Sequence, residues 1–315
     1  MNKETISRII KETAAQLGFE SCGIAKAEPL DEDARRLEQW LQKGMQGKMS
    51  YMENHFELRV DPCKLVPGAR SVITLLHNYY PEEKQDEGIP KIAKYAYGKD
   101  YHDVIRNKLH AFINILREKI GNLEARGFVD SAPVLERSWA ERSGLGWVGK
   151  NGNLIGKKQG SYYFIATLIT DLELEYDNPF PTDHCGSCNR CIEACPTEAI
   201  LPDKVIDARK CICYLTIELK KSEAIPDQFK GKMDNWAFGC DICQDVCPWN
   251  RFANSHQEPE FKASPEVLHF TQADWEALSP ESFSKKFKES PIARTKWEGM
   301  QRNIRFIKND GSPLI

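Results

Sequence analysis

Hydrophobic residues in the first half of the chain follow two spacings that alternate along it. Apolar residues repeat every three or four positions in three segments, which predicts helices up to Gly18, over 31–44 and over 101–120. Short, nearly continuous apolar runs predict strands at 21–25, 71–80 and 127–129, and the second of these is too apolar for a sheet edge. Because the two types of element alternate, this half is predicted to be an α/β or α+β domain.

Further along, apolar runs at 154–155 and 161–169 flank the turn 157–160 and predict a pair of strands. Residues 178–183 contain Asn and two Pro, which is typical of a linker. Beyond this linker the chain is rich in cysteine up to position 247. The composition therefore changes near residue 177, where we expect a domain boundary.

The last part of the chain is predicted to be helical. The segment 216–222 has helical character, and from Ser264 onward apolar residues recur at helical spacing, with a capping box that begins at Thr271. Together with the linker, these patterns predict three domains, at 1–176, 177–255 and 256–315.

Asp130 and a glycine-rich loop are candidates for a functional site. The strand 127–129 carries Asp130 at its end, where it is either a helix cap or a functional carboxylate. Gly144 to Gly149 match the G-x-G-x-x-G pattern, but they follow a predicted helix and precede the hairpin signal Asn151-Gly152. We therefore reject a nicotinamide site, and expect these glycines to let the backbone approach a large flat ligand.

Charge is unevenly distributed over the 315 residues, whose formal net charge is -3. The segment 284–308 has eight Lys or Arg against two Glu. Such a run is usually a solvated helix face, but on an acidic chain it also suits a nucleic-acid backbone. No apolar run approaches the ~18 residues that indicate a membrane span, and no secretory segment begins the chain. We expect a cytoplasmic protein without a membrane partner.

Eleven cysteines give the strongest signal in the sequence. Cys185, Cys188, Cys191 and Cys195, followed by Pro196, have the C-x₂-C-x₂-C-x₃-C-P spacing of bacterial ferredoxins. In that pattern three thiolates hold one [4Fe–4S] cluster and the fourth binds another. A pair of zinc sites or a set of disulfides is the weaker alternative, because zinc ligands usually occur as separated C-x₂-C pairs and disulfides need an oxidising compartment.

A second run, Cys240, Cys243 and Cys247 with Pro248, lacks one ligand. Cys211 or Cys213, between the two runs, can supply it. Two clusters shared crosswise follow: Cys185, Cys188 and Cys191 with Cys247, and Cys195, Cys240 and Cys243 with Cys211 or Cys213.

Several longer motifs resemble one family. Five motifs taken together are similar to epoxyqueuosine reductases. They are Asp130-Ser-Ala-Pro-Val-Leu-Glu-Arg137, Gly144 to Leu154, the cysteine framework, Cys211-x-Cys-Tyr-Leu-Thr-Ile-Glu218 and Ser290-Pro-Ile-x-Arg to Asn303. The resemblance covers nearly the whole chain. It implies an enzyme that removes the epoxide oxygen of epoxyqueuosine at the tRNA wobble position, with a cobalamin and two [4Fe–4S] clusters.

The resemblance also implies a fold and partners. It predicts an α+β protein with a nitroreductase-like or cobalamin-processing-like first domain, a ferredoxin-like domain and a HEAT-like helical segment. The expected partners are tRNA and a low-potential electron donor such as flavodoxin or ferredoxin, acting on a monomer. The family pattern has Cys at position 211 and Ser at position 213, so Cys211 is the implied ligand. The family's helical repeats normally run further, so the C-terminal segment is expected to be truncated.

The resemblance further implies site residues. Asp130 is the predicted proton donor. The predicted cobalamin contacts are Glu57, Tyr97, Asp130, Val134, Arg137, Lys150, Asn151 and Ser161. The predicted tRNA contacts are Lys220, Lys221, Arg294, Lys296 and Arg302. No Asp-x-His-x-x-Gly motif is present, so we expect a base-off cobalamin without a protein histidine ligand.

Two other functions remain open at this stage. A plain two-cluster electron carrier has no need of the large first domain or of the basic segment. A reductive dehalogenase-like reductase of a small molecule shares the cofactors, but it also has no need of the basic segment. Binding of labelled tRNA distinguishes this second alternative.

Overall fold

The computed structural model describes residues 1–308. Its strands are β1 (Ser21–Lys26), β2 (Ser71–Asn78), β3 (Lys91–Ile92), β4 (Ala125–Val129), β5 (Trp147–Val148), β6 (Leu154–Ile155), β7 (Tyr163–Thr170), β8 (Ile200–Leu201), β9 (Val205–Ile206) and β10 (Trp236–Phe238). Its helices are α1 (Lys3–Gln16), α2 (Asp31–Gln42), α3 (Phe56–Val60), α4 (Pro62–Leu65), α5 (Tyr101–Ile120), α6 (Glu136–Arg142), α7 (Arg190–Glu193), α8 (Ile242–Asp245), α9 (Pro265–His269), α10 (Gln272–Ala277), α11 (Pro280–Phe287) and α12 (Lys296–Lys308). This mixture of helix and sheet confirms the α+β class.

The main sheet has four antiparallel strands in the order β1-β2-β7-β4. Every residue of β2 is buried, because β2 is paired on both sides and helices cover both faces. Successive side chains of a strand point to opposite faces. Ile73 and Leu75 accordingly pack with residues of α1 and α5, whereas Val72 packs with Trp139 of α6. The prediction that this strand is not at an edge is confirmed.

Helix α5 and strand β4 bring two distant segments together. Within residues 1–308, β4 is an edge strand that pairs only with β7, and α5 packs along it. The side chain of Asp100 accepts a hydrogen bond from the backbone N–H of His102 and so caps α5. The capped end of α5 lies beside the end of β4, where Asp130 begins the next loop.

Residues from all three predicted domains share hydrophobic cores. β3 pairs with β10 in parallel, and Ile92 and Ala96 belong to the same core as Trp236, Trp275 and Ile304. Phe261 in turn packs into the core of the main sheet. The shared hydrophobic cores mark no division of the chain at 176 or 255. The two domain boundaries stay a prediction.

Hydrogen bonds from Arg302 and Asn303 hold α12 against the segment between the two cysteine runs. Arg302 donates hydrogen bonds to the backbone carbonyls of Leu215, Leu219, Lys220 and Glu223, at 3.0 to 3.2 Å. The fully buried amide of Asn303 donates to the carbonyls of Thr216 and Ala237, both at 2.8 Å. These bonds satisfy carbonyls that neither a helix nor a sheet would otherwise pair.

Two local predictions are wrong. The predicted strand pair does not form, because β6 pairs with β5 and β7 lies in the main sheet. The segment 216–222 is not one helix: a π-helical turn spans Tyr214–Glu218 and Lys220 follows it.

Within residues 1–308, none of the helices combines the length and the apolar character needed to cross a bilayer.

Candidate functional site

Asp130 lies in a strained turn directly after β4. Its φ angle is 51°, in the left-handed region that non-glycine residues rarely adopt, although Asp and Asn tolerate it better than others. Its backbone N–H donates to Oε1 of Glu136 at 2.9 Å. The side chain keeps 58 % of its surface exposed. The alternative that Asp130 caps the following helix is wrong, because α6 begins six residues later without a side-chain cap.

Two residues at the start of α5 hold the Asp130 carboxylate. The Tyr101 hydroxyl donates to Oδ2 at 2.5 Å, and Nε2 of His102 lies 3.4 Å from the same oxygen. On the other side of the ring, Nδ1 of His102 lies 2.7 Å from Oδ1 of Asp100. The imidazole therefore sits between two carboxylates, which places a proton within reach of Asp130.

Between His102 and Asp130, the pKa values place the proton on the imidazole. Burial lowers the pKa of His102, but Asp100 and Asp130 outweigh it and raise that pKa to about 9. Burial raises the pKa of Asp130, but hydrogen bonds from His102 and Tyr101 and the charges of His102 and Arg294 outweigh it, so this pKa lies below its usual value. At neutral pH, Asp130 is ionised and His102 is protonated.

Glu136 is a second carboxyl beside Asp130, in the opposite protonation state. Burial, and next the charge of Asp130, raises the pKa of Glu136 to about 8, although the Asp130 N–H, Arg137 and His102 oppose this rise. Glu136 is therefore mostly protonated at neutral pH. Two carboxyls with separated pKa values are a frequent sign of acid–base chemistry.

Sequence reasoning missed Asp100, Tyr101, His102 and Glu136 as members of this site. The first three follow one another at the start of a helix and read there as a cap and two helical residues. Glu136 belongs to the same motif as Asp130, six residues later, which was the available signal.

An ion pair from the second half of the chain and an aromatic residue from the first half complete the surroundings of Asp130. Arg294 forms an ion pair with Glu218 at 2.8 Å, and its charge acts on Asp130. Tyr51, with 43 % of its surface exposed, lies within electrostatic range of Asp130, Glu218 and Arg294. Of the five predicted tRNA contacts, Arg294 is the one that the structure brings to Asp130.

The other predicted tRNA contacts differ in availability. The side chains of Lys220 and Lys296 are exposed and have no carboxylate partner within residues 1–308. Lys221 lies 3.7 Å from Glu298. The guanidinium of Arg302 is committed to four backbone carbonyls, which leaves it a structural role.

The predicted cobalamin contacts fall into separate groups. Val134 and Arg137 lie in the loop and helix after Asp130. Lys150 instead donates to the carbonyls of Gly186 and Cys188, Asn151 donates to the carbonyl of Cys243, and Ser161 contacts Gln244 and Asn250. Tyr97 is buried with its hydroxyl 3.4 Å from Gln85. Glu57 pairs with Lys64 on the surface.

The loop from Gly144 to Gly149 is filled by protein rather than open to a ligand. A Cβ atom on Gly144 would meet the Asn178 carbonyl oxygen at 2.6 Å, and one on Gly146 would meet that of Ile155 at 2.3 Å. The expectation that these glycines approach a flat ligand is therefore wrong. They allow the β5–β6 hairpin to pack closely, and the rejection of a nicotinamide site is consistent with that hairpin.

The cysteine side chains form two electrostatic groups. Burial raises the pKa of Cys191, and the thiols of Cys185, Cys247 and Cys188 raise it further. Cys247 likewise interacts with Cys185 and Cys188. These are the four residues that the spacing predicts for one cluster.

The second group contains the other predicted ligands. Burial raises the pKa of Cys243 first, followed by the charges of Cys211 and Asp241 and then of Cys191 and Cys195. The thiols of Cys243 and Cys211 also raise the pKa of Cys240, after burial. No three His, Cys, Asp or Glu side chains of residues 1–308 converge on one metal-ion position.

Cys211 and Cys213 differ in their hydrogen bonds. A hydrogen bond from the Cys213 thiol lowers the pKa of Cys211, and the backbone N–H groups of Cys213 and Tyr214 act in the same direction. The Cys213 sulfur also lies 3.6 Å from the carbonyl oxygen of Cys240, to which its single S–H can donate instead. Two backbone N–H groups therefore stabilise a thiolate at Cys211, which supports its choice as ligand over Cys213.

Comparison with known proteins gives two matching family models. One, described as epoxyqueuosine reductase QueG, DUF1730, matches residues 59–131. The other, a 4Fe-4S double cluster binding domain, matches residues 184–250. The second model covers both cysteine runs and supports iron–sulfur clusters rather than zinc or disulfides.

Relatives match over almost the full chain. An epoxyqueuosine reductase of Cyclobacterium marinum is 57 % identical over 98 % of this chain and 99 % of its own length. One of Pseudomonas aeruginosa is 39 % identical over 95 % of this chain and 84 % of its own length.

Two solved structures have a similar fold. An epoxyqueuosine reductase with a tRNA-Tyr epoxyqueuosine-modified stem loop has a TM-score of 0.89 and 31 % identity, covering 97 % of this chain and 81 % of that one. The Bacillus subtilis epoxyqueuosine reductase, with its catalytic aspartate loop swung out of the active site, has a TM-score of 0.88 and 30 % identity, covering 97 % and 82 %. The resemblance stated from the motifs is confirmed, and this chain belongs to the epoxyqueuosine reductase family.

Proposed function

We propose that this protein reductively removes the epoxide oxygen of epoxyqueuosine at the wobble position of tRNA and so forms queuosine. The observation that carries the proposal is the likeness, over nearly all of the chain, to a reductase bound to an epoxyqueuosine-modified stem loop. Asp130 supports it, because its carboxylate is exposed at a strand end and linked to a protonated imidazole.

The reaction needs two electrons and two protons, because the epoxide becomes an alkene and the oxygen leaves as water. Iron–sulfur clusters transfer single electrons, so a double-cluster domain suits this demand. We propose Cys185, Cys188, Cys191 and Cys247 as ligands of one cluster and Cys195, Cys211, Cys240 and Cys243 as ligands of the other. A low-potential donor such as flavodoxin or ferredoxin would supply the electrons.

The side chains around Asp130 fit a cobalamin. Asp130 and Tyr51 present exposed polar groups, which suit the amide-rich edge of a corrin, and we propose Val134 and Arg137 as further contacts. Of the seven histidines, all within residues 1–308, only His102 contacts Asp130, and its two nitrogens face Asp100 and Asp130. A base-off cobalamin without a protein imidazole is therefore proposed. When bound, it would supply a cobalt centre that takes up single electrons and acts on the epoxide.

Asp130 is proposed to deliver a proton to the departing oxygen. In the protein without ligands, the proton of the pair rests on His102. A nucleoside that covers Asp130 would remove water from the carboxylate and raise its proton affinity, so the proton held at His102 Nε2 would move to Oδ2. Asp100 then stabilises the orientation of the ring, because it accepts from the other nitrogen. His102 is in this way the reservoir and Asp130 the donor.

Glu136 is proposed to hold the Asp130 turn in position. Its Oε1 accepts the Asp130 N–H, the bond that closes the turn at a φ of 51°. A strained residue of this kind costs about 1–3 kcal/mol and persists only when its surroundings fix it. Because the catalytic loop of the Bacillus subtilis relative swings out of its active site, the bond from Glu136 is suited to favour the inward position.

Replacing Glu136 by Ala should slow the reaction about fivefold, because a lost hydrogen bond of about 1 kcal/mol lets the turn relax. Glu136→Gln keeps a carbonyl oxygen that can accept the Asp130 N–H, so it should retain most of the rate. Single-turnover rates of both variants measure this difference. Equal loss in the two variants would show that Glu136 acts through its proton and not through this bond.

The finer architecture and the cellular setting are also proposals. The antiparallel sheet with helices on both faces supports a cobalamin-processing-like first domain, and the double-cluster model supports a ferredoxin-like second domain. Helices α9 to α12 support a HEAT-like segment. We propose that the enzyme acts in the cytoplasm as a monomer.

The direct test is turnover of epoxyqueuosine-containing tRNA by anaerobically purified, cobalamin-loaded protein with a chemical reductant. Mass spectrometry of the digested nucleosides should show the loss of one oxygen. The protein should contain about eight irons per chain, four from each cluster. A protein with both clusters and cobalamin that leaves the epoxide intact would disprove the proposed function.

A further inference from the structure

A groove of about 580 Å³ lies between helix α5 and the free edge of strand β4. We call it the α5–β4 groove. Arg106, His110 and Arg117 line it from α5, Arg126 lines it from β4, and Ser131 and Ala132 line it beyond the end of β4. The last two residues directly follow Asp130, so the groove ends at the proposed catalytic turn.

The charged side chains that line the α5–β4 groove are all arginines, and none of its lining residues is acidic. This is unexpected in a chain whose formal net charge is -3. All three arginines are exposed. Arg117 forms no side-chain hydrogen bond or ion pair with any of residues 1–308, whereas Arg106 pairs with Asp103 at 3.0 Å at an exposed site. The guanidinium of Arg126 lies 5.1 Å from the Phe128 ring centre.

Neither the stability of the fold nor the protection of the edge strand requires arginine at all three positions. An exposed pair such as Arg106 and Asp103 contributes little to stability. A single charged residue such as Arg126 is enough to protect an edge strand from pairing with another chain. Three guanidinium groups along one groove are instead the pattern of a surface for a polyanion, since arginine binds phosphate in a planar, bidentate manner.

We propose that the α5–β4 groove binds backbone phosphates of the substrate tRNA that neighbour the nucleotide entering the site at Asp130. The inference rests on the proposed function and adds a surface that the basic segment 284–308 does not contain. Two observations select RNA over a protein partner: the charged lining is entirely cationic, and the groove runs directly into Ser131 and Ala132. A protein strand added to β4 would need backbone pairing but no cluster of arginines.

Salt dependence of binding tests this proposal quantitatively. For single-stranded nucleic acid the slope of log K against log salt concentration is about −0.7 per neutralised phosphate. Changing Arg106, Arg117 and Arg126 to Gln should therefore make this slope less steep by about 2. The measurement uses a labelled epoxyqueuosine anticodon stem loop and the anaerobic, fully loaded enzyme. The rate at saturating tRNA should stay within about twofold, because no group that touches the nucleoside changes.

The matched control changes Arg8, Arg35 and Arg36 to Gln, which removes the same charge from exposed positions on α1 and α2. Its slope should equal that of the unchanged protein. Arg117→Gln alone is the second variant, because this side chain has no partner among residues 1–308 to lose, and its slope should change by about 0.7.

The outcomes are distinct. Slopes that are the same for the groove variants and for the control overturn the groove assignment. If the unchanged protein neither binds the stem loop nor removes its oxygen, the proposed function fails, and the assignment fails with it.

Discussion

Replacing Asp130 by Asn should slow removal of the epoxide oxygen at least about a hundredfold, because a positioned acid contributes about 10²–10⁴-fold. Asn has the same shape and tolerates a φ of 51°, so the turn should keep its conformation. Its amide can neither hold the acidic proton nor pair as a carboxylate with His102. The measurement is the single-turnover rate of prereduced enzyme on epoxyqueuosine-containing tRNA.

Three properties serve as controls for this variant: the cluster spectra, the cobalamin content and the tRNA affinity should all be unchanged. In the unchanged enzyme, His102 is protonated below its pKa of about 9, so the rate should fall as the pH rises through that value. A variant that still reduces the epoxide at close to the normal rate would mean that the proton comes from water or from another residue.

Changing Cys211 to Ala should remove one of the two clusters, whereas changing Cys213 to Ala should remove neither. The iron content should fall from about eight to about four per chain in the first variant. The reason lies in the hydrogen bonds: two backbone N–H groups donate to Cys211, whereas the single S–H of Cys213 donates either to Cys211 or to the Cys240 carbonyl.

Iron analysis and the electron paramagnetic resonance spectrum of the reduced protein measure the outcome. Loss of a cluster in Cys213→Ala, with retention in Cys211→Ala, would reassign the ligand. If each single Ala variant keeps both clusters and only the double variant loses one, the two thiols are interchangeable, and Cys211 is not the unique ligand.

The sequence predicts the cluster ligands, except for the choice between Cys211 and Cys213. The cluster ligands follow from local spacing, since four cysteines within eleven residues are close together in almost any conformation of that segment. The spacing cannot choose between Cys211 and Cys213, because both lie two residues apart in the same connecting segment. The choice follows from which thiol receives hydrogen bonds, and those bonds depend on the packing of the turn at 214–218.

The sequence by itself determined the elements with strong periodicity. Helix α5 has the predicted bounds, 101–120, and strand β2 is central as predicted, because an amphipathic stripe and a continuous apolar run each have few ways to be buried. The sequence also determined the family, since several long motifs occur together along the whole chain.

Only the tertiary structure decided what surrounds Asp130. Tyr101 and His102 are separated from it by 28 or more residues, and they meet it because α5 packs against the edge strand β4. Arg302 belongs to the basic segment, yet its guanidinium is used inside the fold by carbonyls more than 75 residues away. Charge and motif identify such residues in the sequence, but whether a side chain serves the fold or a ligand depends on contacts between distant segments, which no local pattern contains.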